Sequence, residues 1–519
     1  MRLSPPGIIL ATLNAKYIHA SLGLRYVLAN MARYGGEELR ARTVVREFAL
    51  TRTPQDVADA LLMELGVSTT PQIIGFGVYI WNVTATTEVV RLLKTARADA
   101  IIVLGGPEVS YEWANQEIVS LADYLITGWG EVSFPKLCRA LLRAAPPAMK
   151  VIEGEQAPLD EIEFPYKEYG DADLAHRVVY VEASRGCPFK CEFCLSSLDK
   201  TSKAFAVERF LAEMNDLYRR GARKFKFVDR TFNLKIEITV RILHFFLERL
   251  DDDLFLHFEL IPDRLPSSLK QAIARFPPGV LQFEVGIQSF NPDVQQRISR
   301  RQDNEASVAN LRWLSMQSQA HLHADLVFGL PGESWESFAT GFDRLYALGP
   351  HEIQLGILKR LRGAPIARHI EGFRMVFDPS PPYSLLQNCD IDAETVRRFA
   401  RLARYWDLLA NSGRFKRSMD LLLQGDTPFG AFAQCADWLW RRCAKTQGLT
   451  PEFLVDALFD YLCNERALPV ERVRQSLLDD YLDSGARANP QCLRGLLAQR
   501  PPPMVRSSIS LTRRQARYG

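Results

Sequence analysis

The chain has 519 residues, 47% hydrophobic and 24% charged, with 64 basic against 61 acidic residues and a formal net charge of +3. That length exceeds one ordinary core, so two or three globular domains are expected, and the balanced charge argues against both a nucleic-acid and a membrane partner. No run of about 18 apolar residues offers a membrane span, and the nine cysteines, scattered apart from one triplet, form no disulfide framework and point to a reducing, cytoplasmic compartment.

The first apolar stretch, residues 7–13, is cut short by polar Asn14 and Lys16, and reads as a buried strand rather than a signal peptide. Apolar runs recur at 43–45, 73–78, 101–104 and 124–126, separated by helical patterns. One of these opens with Thr53-Pro54-Gln55-Asp56, a capping residue followed by proline at the first helical position. Alternating strands and helices predict a doubly wound parallel sheet over residues 1–140, of the kind that binds ligands beyond the carboxyl ends of its strands. Three glycine-bearing segments fall at such ends: Gly75-Phe76-Gly77-Val78-Tyr79-Ile80-Trp81-Asn82, Val103-Leu104-Gly105-Gly106-Pro107-Glu108 and Thr127-Gly128-Trp129-Gly130-Glu131. Paired glycines let a ligand approach the backbone, although composition alone also describes plain turns.

Residues 141–175 lack periodicity and read as a linker crossing a surface. A second alternating array follows over 176–370, with strands expected at 178–183, 224–228, 254–259, 281–286, 323–328 and 353–358 and helices near 206–219 and 236–250. Six β/α units suggest a partial barrel with its chemistry at the carboxyl-terminal mouth. Beyond about residue 370, amphipathic helical patterns at 393–411 and 431–443 predict a helical C-terminal domain, 371–519. Its end, with Arg506, Arg513, Arg514 and Arg517, reads as a disordered basic tail.

Directly after the first strand of the second array stands Ser184-Arg185-Gly186-Cys187-Pro188-Phe189-Lys190-Cys191-Glu192-Phe193-Cys194, a C-x₃-C-x₂-C loop. Thiolates are soft ligands for iron–sulfur clusters or zinc. Structural zinc takes four ligands in paired knuckles, and no second C-x₂-C exists in the chain. Three ligands on a four-iron cluster leave one iron open. Polar residues recur at the expected strand ends: Asp229, Glu259, Glu284 to Gln288 with Arg300 following, and Asp325 within His323-Ala324-Asp325-Leu326-Val327-Phe328-Gly329-Leu330-Pro331-Gly332-Glu333. Charged groups in apolar strands are costly without partners, and a zwitterionic, cationic ligand with ribose hydroxyls would supply them.

The cysteine loop, with an aromatic before its last cysteine, resembles the cluster loop of the radical S-adenosylmethionine (SAM) superfamily. The G-I-Q-S and D-L-V-F-G-L-P-G-E strings resemble radical SAM enzymes related to anaerobic coproporphyrinogen oxidases and to cobalamin-dependent members. The L-G-G-P-E and G-W-G-E strings resemble the cobalamin-binding domain that precedes this core in one branch. The resemblance covers roughly residues 5–370. A likeness to an uncharacterised extension of that branch continues in Phe399-Ala400-Arg401, Arg404-Tyr405-Trp406 and Asn411–Phe415.

The resemblance implies an α/β chain with a Rossmann-like cobalamin-type domain, a partial (β/α)₆ radical SAM barrel and a mainly helical C-terminal domain. It implies Cys187, Cys191 and Cys194 as ligands of a 4Fe–4S cluster, and Phe193 near the adenine of SAM. It places Glu259, Gln288, Arg300 and Asp325 at the methionyl and ribose portions of SAM. Asp229 stands where many relatives carry a glycine-rich turn that meets the methionyl amine. Cobalamin would rest near Tyr79, Gly105 and Gly106. The D-x-H-x-x-G motif that supplies a lower axial histidine is missing, and His19, the nearest candidate, reads as a capping or packing residue.

The implied reaction is reductive cleavage of SAM to a 5′-deoxyadenosyl radical, extending to methylation of an unactivated carbon. A low-potential flavodoxin- or ferredoxin-type electron donor and an unidentified, small-molecule class of substrate are implied with it. Two alternatives remain: radical rearrangement or oxidation with a degenerate cobalamin domain, and a non-catalytic sensor of SAM, cobalamin or iron. A second cluster is disfavoured, since Cys389, Cys435, Cys443, Cys463 and Cys492 are scattered singly and only Cys138 precedes the linker.

Overall fold

The computed structural model describes residues 7–67, 71–425 and 427–497. The basic tail expected at 500–519 lies outside the described residues. The chain divides into two compact units, one made of Met1–Asp229 with the later segments Arg360–Ala367 and Asp378–Tyr383, the other of the remaining residues.

The first unit opens with a parallel sheet. Its strands are β1 (Ile8–Asn14), β2 (Thr43–Ala49), β3 (Ile73–Gly77), β4 (Ile101–Gly105), β5 (Tyr124–Thr127) and β6 (Val151–Glu153), in the order β2-β1-β3-β4-β5-β6. β1 and β3 are buried along their whole length, as a strand covered on both faces must be. Helices α1 (Leu22–Gly35), α2 (Glu37–Ala41), α3 (Pro54–Leu65), α4 (Val83–Ala96), α5 (Glu117–Leu121) and α6 (Ser133–Leu142) supply the covering layers. One apolar core joins Val57, Leu61, Val90 and Ile118 to the sheet; the other joins Leu28, Met31, Phe134 and Leu137 to its opposite face. α3 begins as its sequence dictates: Thr53 Oγ1 accepts from the Asp56 N–H, with Pro54 in the first turn.

Residues 141–175 hold more structure than a linker. β6 extends the sheet beside β5, pairing Leu125 with Val151 and Ile126 with Ile152. Further on, Tyr166 and Tyr169 are fully buried. Both brace β7 (Val179–Val181): Tyr169 Oη donates to the Tyr180 carbonyl and accepts the Tyr180 N–H, while Tyr166 Oη does the same for Glu182. Two phenols thus satisfy backbone groups that an exposed strand edge would leave to water or to another chain. Helix Asp171–His176 is tied down by buried charges, with Arg25 held by both Glu47 and Asp173 at 2.8 Å.

After β7 come a two-residue ladder, β8 (Ser184–Arg185) antiparallel to β9 (Lys203–Ala204), and then β10 (Lys224–Phe227), which pairs parallel with β7.

In the second unit, β11 (Phe255–Leu260), β12 (Leu281–Gln288), β13 (His321–Phe328) and β14 (Glu352–Ile357) pair in order, all parallel. Helices Ser267–Ile273, Asn304–Gln317 and Trp335–Tyr346 separate them in sequence, and Ile236–Leu247 precedes the first. The C-terminal region is helical as expected, with main helices Ala393–Leu409, Pro428–Cys443, Pro451–Asp460 and Val470–Asp483. It packs on the strands rather than apart from them. Phe399 stacks on Phe328 at 4.0 Å, Trp406 donates to the Ile353 carbonyl, and Phe338, Phe342 and Phe429 fill the space between.

Candidate functional site

At the carboxyl ends of β3, β4 and β5 lies a cavity of about 340 Å³ walled by Gly77, Gly105, Gly106, Gly128 and Gly130, with Tyr79 and Trp129 beside them. All three glycine-bearing segments singled out in the sequence meet there. Gly106 has φ +111°, and a Cβ on it would stand 2.4 Å from the Val78 carbonyl, so no other residue fits without moving the chain. Gly105 is different: its added Cβ would meet only the Ile126 carbonyl at 3.7 Å. Asn82, fully buried, donates to the Leu13 and Gly77 carbonyls and so stitches the ends of β1 and β3 together. Tyr79 stacks on Trp81 at 4.4 Å with the rings nearly parallel. His19 pairs with Tyr180 Oη at 2.7 Å and is a packing residue, while the cap of α1 is Ser21.

Arg185 joins this cavity to the cysteine loop. Its guanidinium meets Glu131 at 2.8 Å and Glu182 at 2.7 Å, and lies 4.5 Å from the ring centres of both Tyr26 and Trp129. Burial works against its charge, but the two carboxylates outweigh that and hold it protonated. Glu131 and Trp129 belong to the G-W-G-E segment, and Arg185 stands two residues before the first cysteine of the loop.

The loop itself is closed by the β8–β9 ladder and by a bond from the Cys187 N–H to the Asp199 carbonyl at 2.9 Å. Cys187 and Cys191 are buried, Cys194 is half-buried, and none of the nine cysteines is in a disulfide. Among the described residues no three His, Cys, Asp or Glu side chains gather as ligands of one ion. Thiolates are the donors an iron–sulfur cluster takes, and the loop brings three free cysteines into one closed segment.

Asp229 has a definite place. It is buried, accepting the Ala183 N–H at 2.9 Å and the Ser184 hydroxyl at 2.5 Å. Both oxygens are therefore engaged at the entry of the cysteine loop. Burial pushes its carboxyl up to about 7 against these two hydrogen bonds. These contacts make Asp229 an anchor for the entry of the loop. Phe193, half-buried, lies inside the loop.

In the second unit the register sets Glu259, Glu284, His323 and Glu352 side by side on one face of the sheet, with Gly286 and Asp325 one step further along. The strand bulges between Gly286 and Gln288, and Gln288 takes a left-handed φ of +69°. Arg300 Nη2 donates to the Gly286 carbonyl, and Gln288 Nε2 fills the space where a Gly286 side chain would be. Gln288, Arg300 and Asp325 thus gather about Gly286. Glu259 pairs with Arg230 at 2.8 Å. Sequence reasoning passed over two neighbours: His323, 3.2 Å from Asp325, and His257, 3.1 Å from Glu284. Burial opposes a charge on His323, and Asp325 outweighs it and raises the imidazole.

This arrangement defines a class. Residues 8–138 match the B12 binding domain, 181–345 the radical SAM superfamily, and 371–508 a protein family of unknown function, DUF4080. The chain thus carries a B12-binding domain, a radical SAM domain and a DUF4080 region, and the cofactor set that goes with these domains is a 4Fe–4S cluster, SAM and cobalamin.

Among its relatives is the uncharacterised methyltransferase PH0819 of Pyrococcus horikoshii, 30% identical over 233 residues, or 37% of this chain and 50% of the relative. Another is the cobalamin-dependent radical SAM methyltransferase TokK of Streptomyces tokunonensis, 24% identical over 59% of this chain and 48% of the relative. The chain thus spans about half the length of these curated relatives. Among solved structures, the cobalamin-dependent SAM radical enzyme OxsB with aqua-cobalamin shares the fold at TM-score 0.63 and 13% identity, over 92% of this chain and 79% of that one. The radical SAM methyltransferase TsrM of Kitasatospora setae does so at 0.54 and 18% identity, over 70% and 75%.

Proposed function

We propose that this protein is a cobalamin-dependent radical SAM methyltransferase acting on a carbon that polar chemistry does not activate. The observation that carries the reading is Arg185, one buried residue that lines the glycine-walled cavity and also leads into the cysteine loop. The names of the relatives support methyl transfer as the reaction.

Under this reading Cys187, Cys191 and Cys194 hold the cluster, and Phe193 lies beside the adenine. Gln288, Arg300 and Asp325 hold SAM with Glu259. Arg suits the SAM carboxylate and aspartate suits ribose hydroxyls. Tyr79, Gly105 and Gly106 take cobalamin; a cavity of about 340 Å³ admits a nucleotide-sized part of it rather than the whole corrin. When bound, the cluster supplies the electron that splits SAM into methionine and a 5′-deoxyadenosyl radical, and cobalamin supplies a carrier for the methyl group. The chain's own residues bind, orient and shield. Asp229 fixes the start of the cysteine loop, and Arg185 fixes that loop against Glu131. The domain limits proposed are 1–140 for cobalamin, 176–370 for the radical SAM core and 371–519 for the helical region. A low-potential flavodoxin or ferredoxin is the proposed electron donor. The cytoplasm is the proposed compartment, supported by nine cysteines outside any disulfide.

The test is to reconstitute the protein with iron, sulfide and hydroxocobalamin, desalt it, and add a strong reductant with methyl-labelled SAM. Labelled methylcobalamin in the recovered protein is the expected result. Full retention of cobalamin with no label transferred would favour a degenerate cobalamin domain and end the methyltransferase reading.

A further inference from the structure

The segments Arg360–Ala367 and Asp378–Tyr383 follow β14 in sequence, yet by their contacts they belong to the first unit. They grip the loop after β4. Arg362 Nε donates to Glu108 Oε1 at 2.9 Å, and Tyr383 Oη donates to the same oxygen at 2.5 Å. Glu108 is only 4% exposed, so these partners are what make its burial tolerable. Arg360 Nη2 reaches both oxygens of Glu112 at 3.0 and 2.9 Å, and the Gly363 N–H donates to one of them. Gly363 has φ +80°, and a Cβ there would lie 2.4 Å from the Tyr111 ring.

The same strap reaches the cysteine loop. The N–H of fully buried Ile366 donates to the Glu192 carbonyl at 2.8 Å. Glu192 stands between Cys191 and Cys194, and Glu108 stands two residues after Gly106. Only the three residues between Arg362 and Ile366 therefore separate a contact to the glycine loop from a contact to the cysteine loop.

We propose that this strap couples the two cofactor sites, with Arg362 as its positioning residue. The proposal rests on the cofactor reading given above. A cluster that orders the cysteine loop orders the Ile366 end of the strap, and a corrinoid that orders the glycine loop orders the Arg362 end. Each then lowers the cost of ordering the other, and the benefit is reciprocal.

The test uses the full chain, cluster-free or reconstituted with iron and sulfide, titrated anaerobically with hydroxocobalamin. Wild-type protein is expected to bind it about tenfold tighter when the cluster is present, within the usual span of such couplings. Cobalamin should in turn slow the loss of iron to a chelator. Arg362→Ala is expected to erase both effects while binding of cobalamin to the cluster-free protein changes much less. Tyr383→Phe, which keeps the ring and loses the hydroxyl, should weaken them and serves if the alanine variant fails to fold. Equal affinity in the two wild-type states, or a tenfold difference that survives in Arg362→Ala, would overturn the coupling while leaving the cofactor assignment standing. Absence of cobalamin binding in either state would remove that assignment, and the proposal with it.

Discussion

Asp229 carries a testable pH signature. An unfolded aspartate releases its proton near about pH 4, whereas the folded protein keeps this one until about 7. Between those values the folded state holds the extra proton, so stability falls as pH rises through the window. Asp229→Asn keeps the shape and lacks that loss. Thermal midpoints of the cluster-free protein at about pH 5 and pH 7.5 should therefore shift in favour of the variant at the higher pH; a pH-independent difference would contradict the assignment. Arg185 makes a second prediction at this scale. Arg185→Ala leaves Glu131 and Glu182 as unpaired buried carboxylates, a change that costs about 3–5 kcal/mol. Thermal unfolding should show a loss of that order, partly recovered when Glu131→Gln is added. Arg185→Lys should not restore the wild-type midpoint, since an ammonium cannot reach two carboxylates and stack between two rings at once.

At the scale of elements, Gly105 and Gly106 are adjacent but differ in what they tolerate. Gly106→Ala drives a methyl into the Val78 carbonyl at a positive φ and should lower the thermal midpoint as well as cobalamin uptake. Gly105→Ala meets ordinary van der Waals space and should leave the midpoint within a few degrees, showing its effect in cobalamin uptake alone. Equal destabilisation by both would count against the described loop. The strands of both arrays were legible because buried parallel strands are short apolar runs, and each expected run falls on a strand, with ends within two residues except for 43–45, which stops four short of the end of β2. The stretch from 141 to 175 was not. Its order comes from Tyr166 and Tyr169 bracing β7, and no periodicity announces two phenols that serve a strand edge. The cysteine loop was legible because its three cysteines stand close together in sequence. Asp229 and Glu108 were legible as polar residues in telling places, but their roles were not, since their partners lie 46 and 275 residues away in sequence. Arg185 stood in plain view beside the cysteines; its carboxylate partner Glu131 could be found only in three dimensions.

For the molecule as a whole, a glycine-walled cavity and a cysteine loop share one compact unit, joined by Arg185 and by a strap drawn from the chain after β14. The polar face of the second unit gathers Gln288, Arg300 and Asp325 around Gly286, where a carboxylate and ribose hydroxyls would find partners. No helix among the described residues is long and apolar enough to cross a membrane. The central claim is that this chain cleaves SAM by one-electron chemistry, and the most direct measurement is anaerobic. Protein loaded with iron, sulfide and hydroxocobalamin is mixed with SAM and a strong reductant, and the nucleosides are quantified by mass spectrometry. Release of 5′-deoxyadenosine by the wild type, absent in Cys191→Ala, is the predicted result. Intact SAM in the presence of a fully loaded cluster and bound cobalamin would contradict the account and point to a protein that senses these cofactors without consuming SAM.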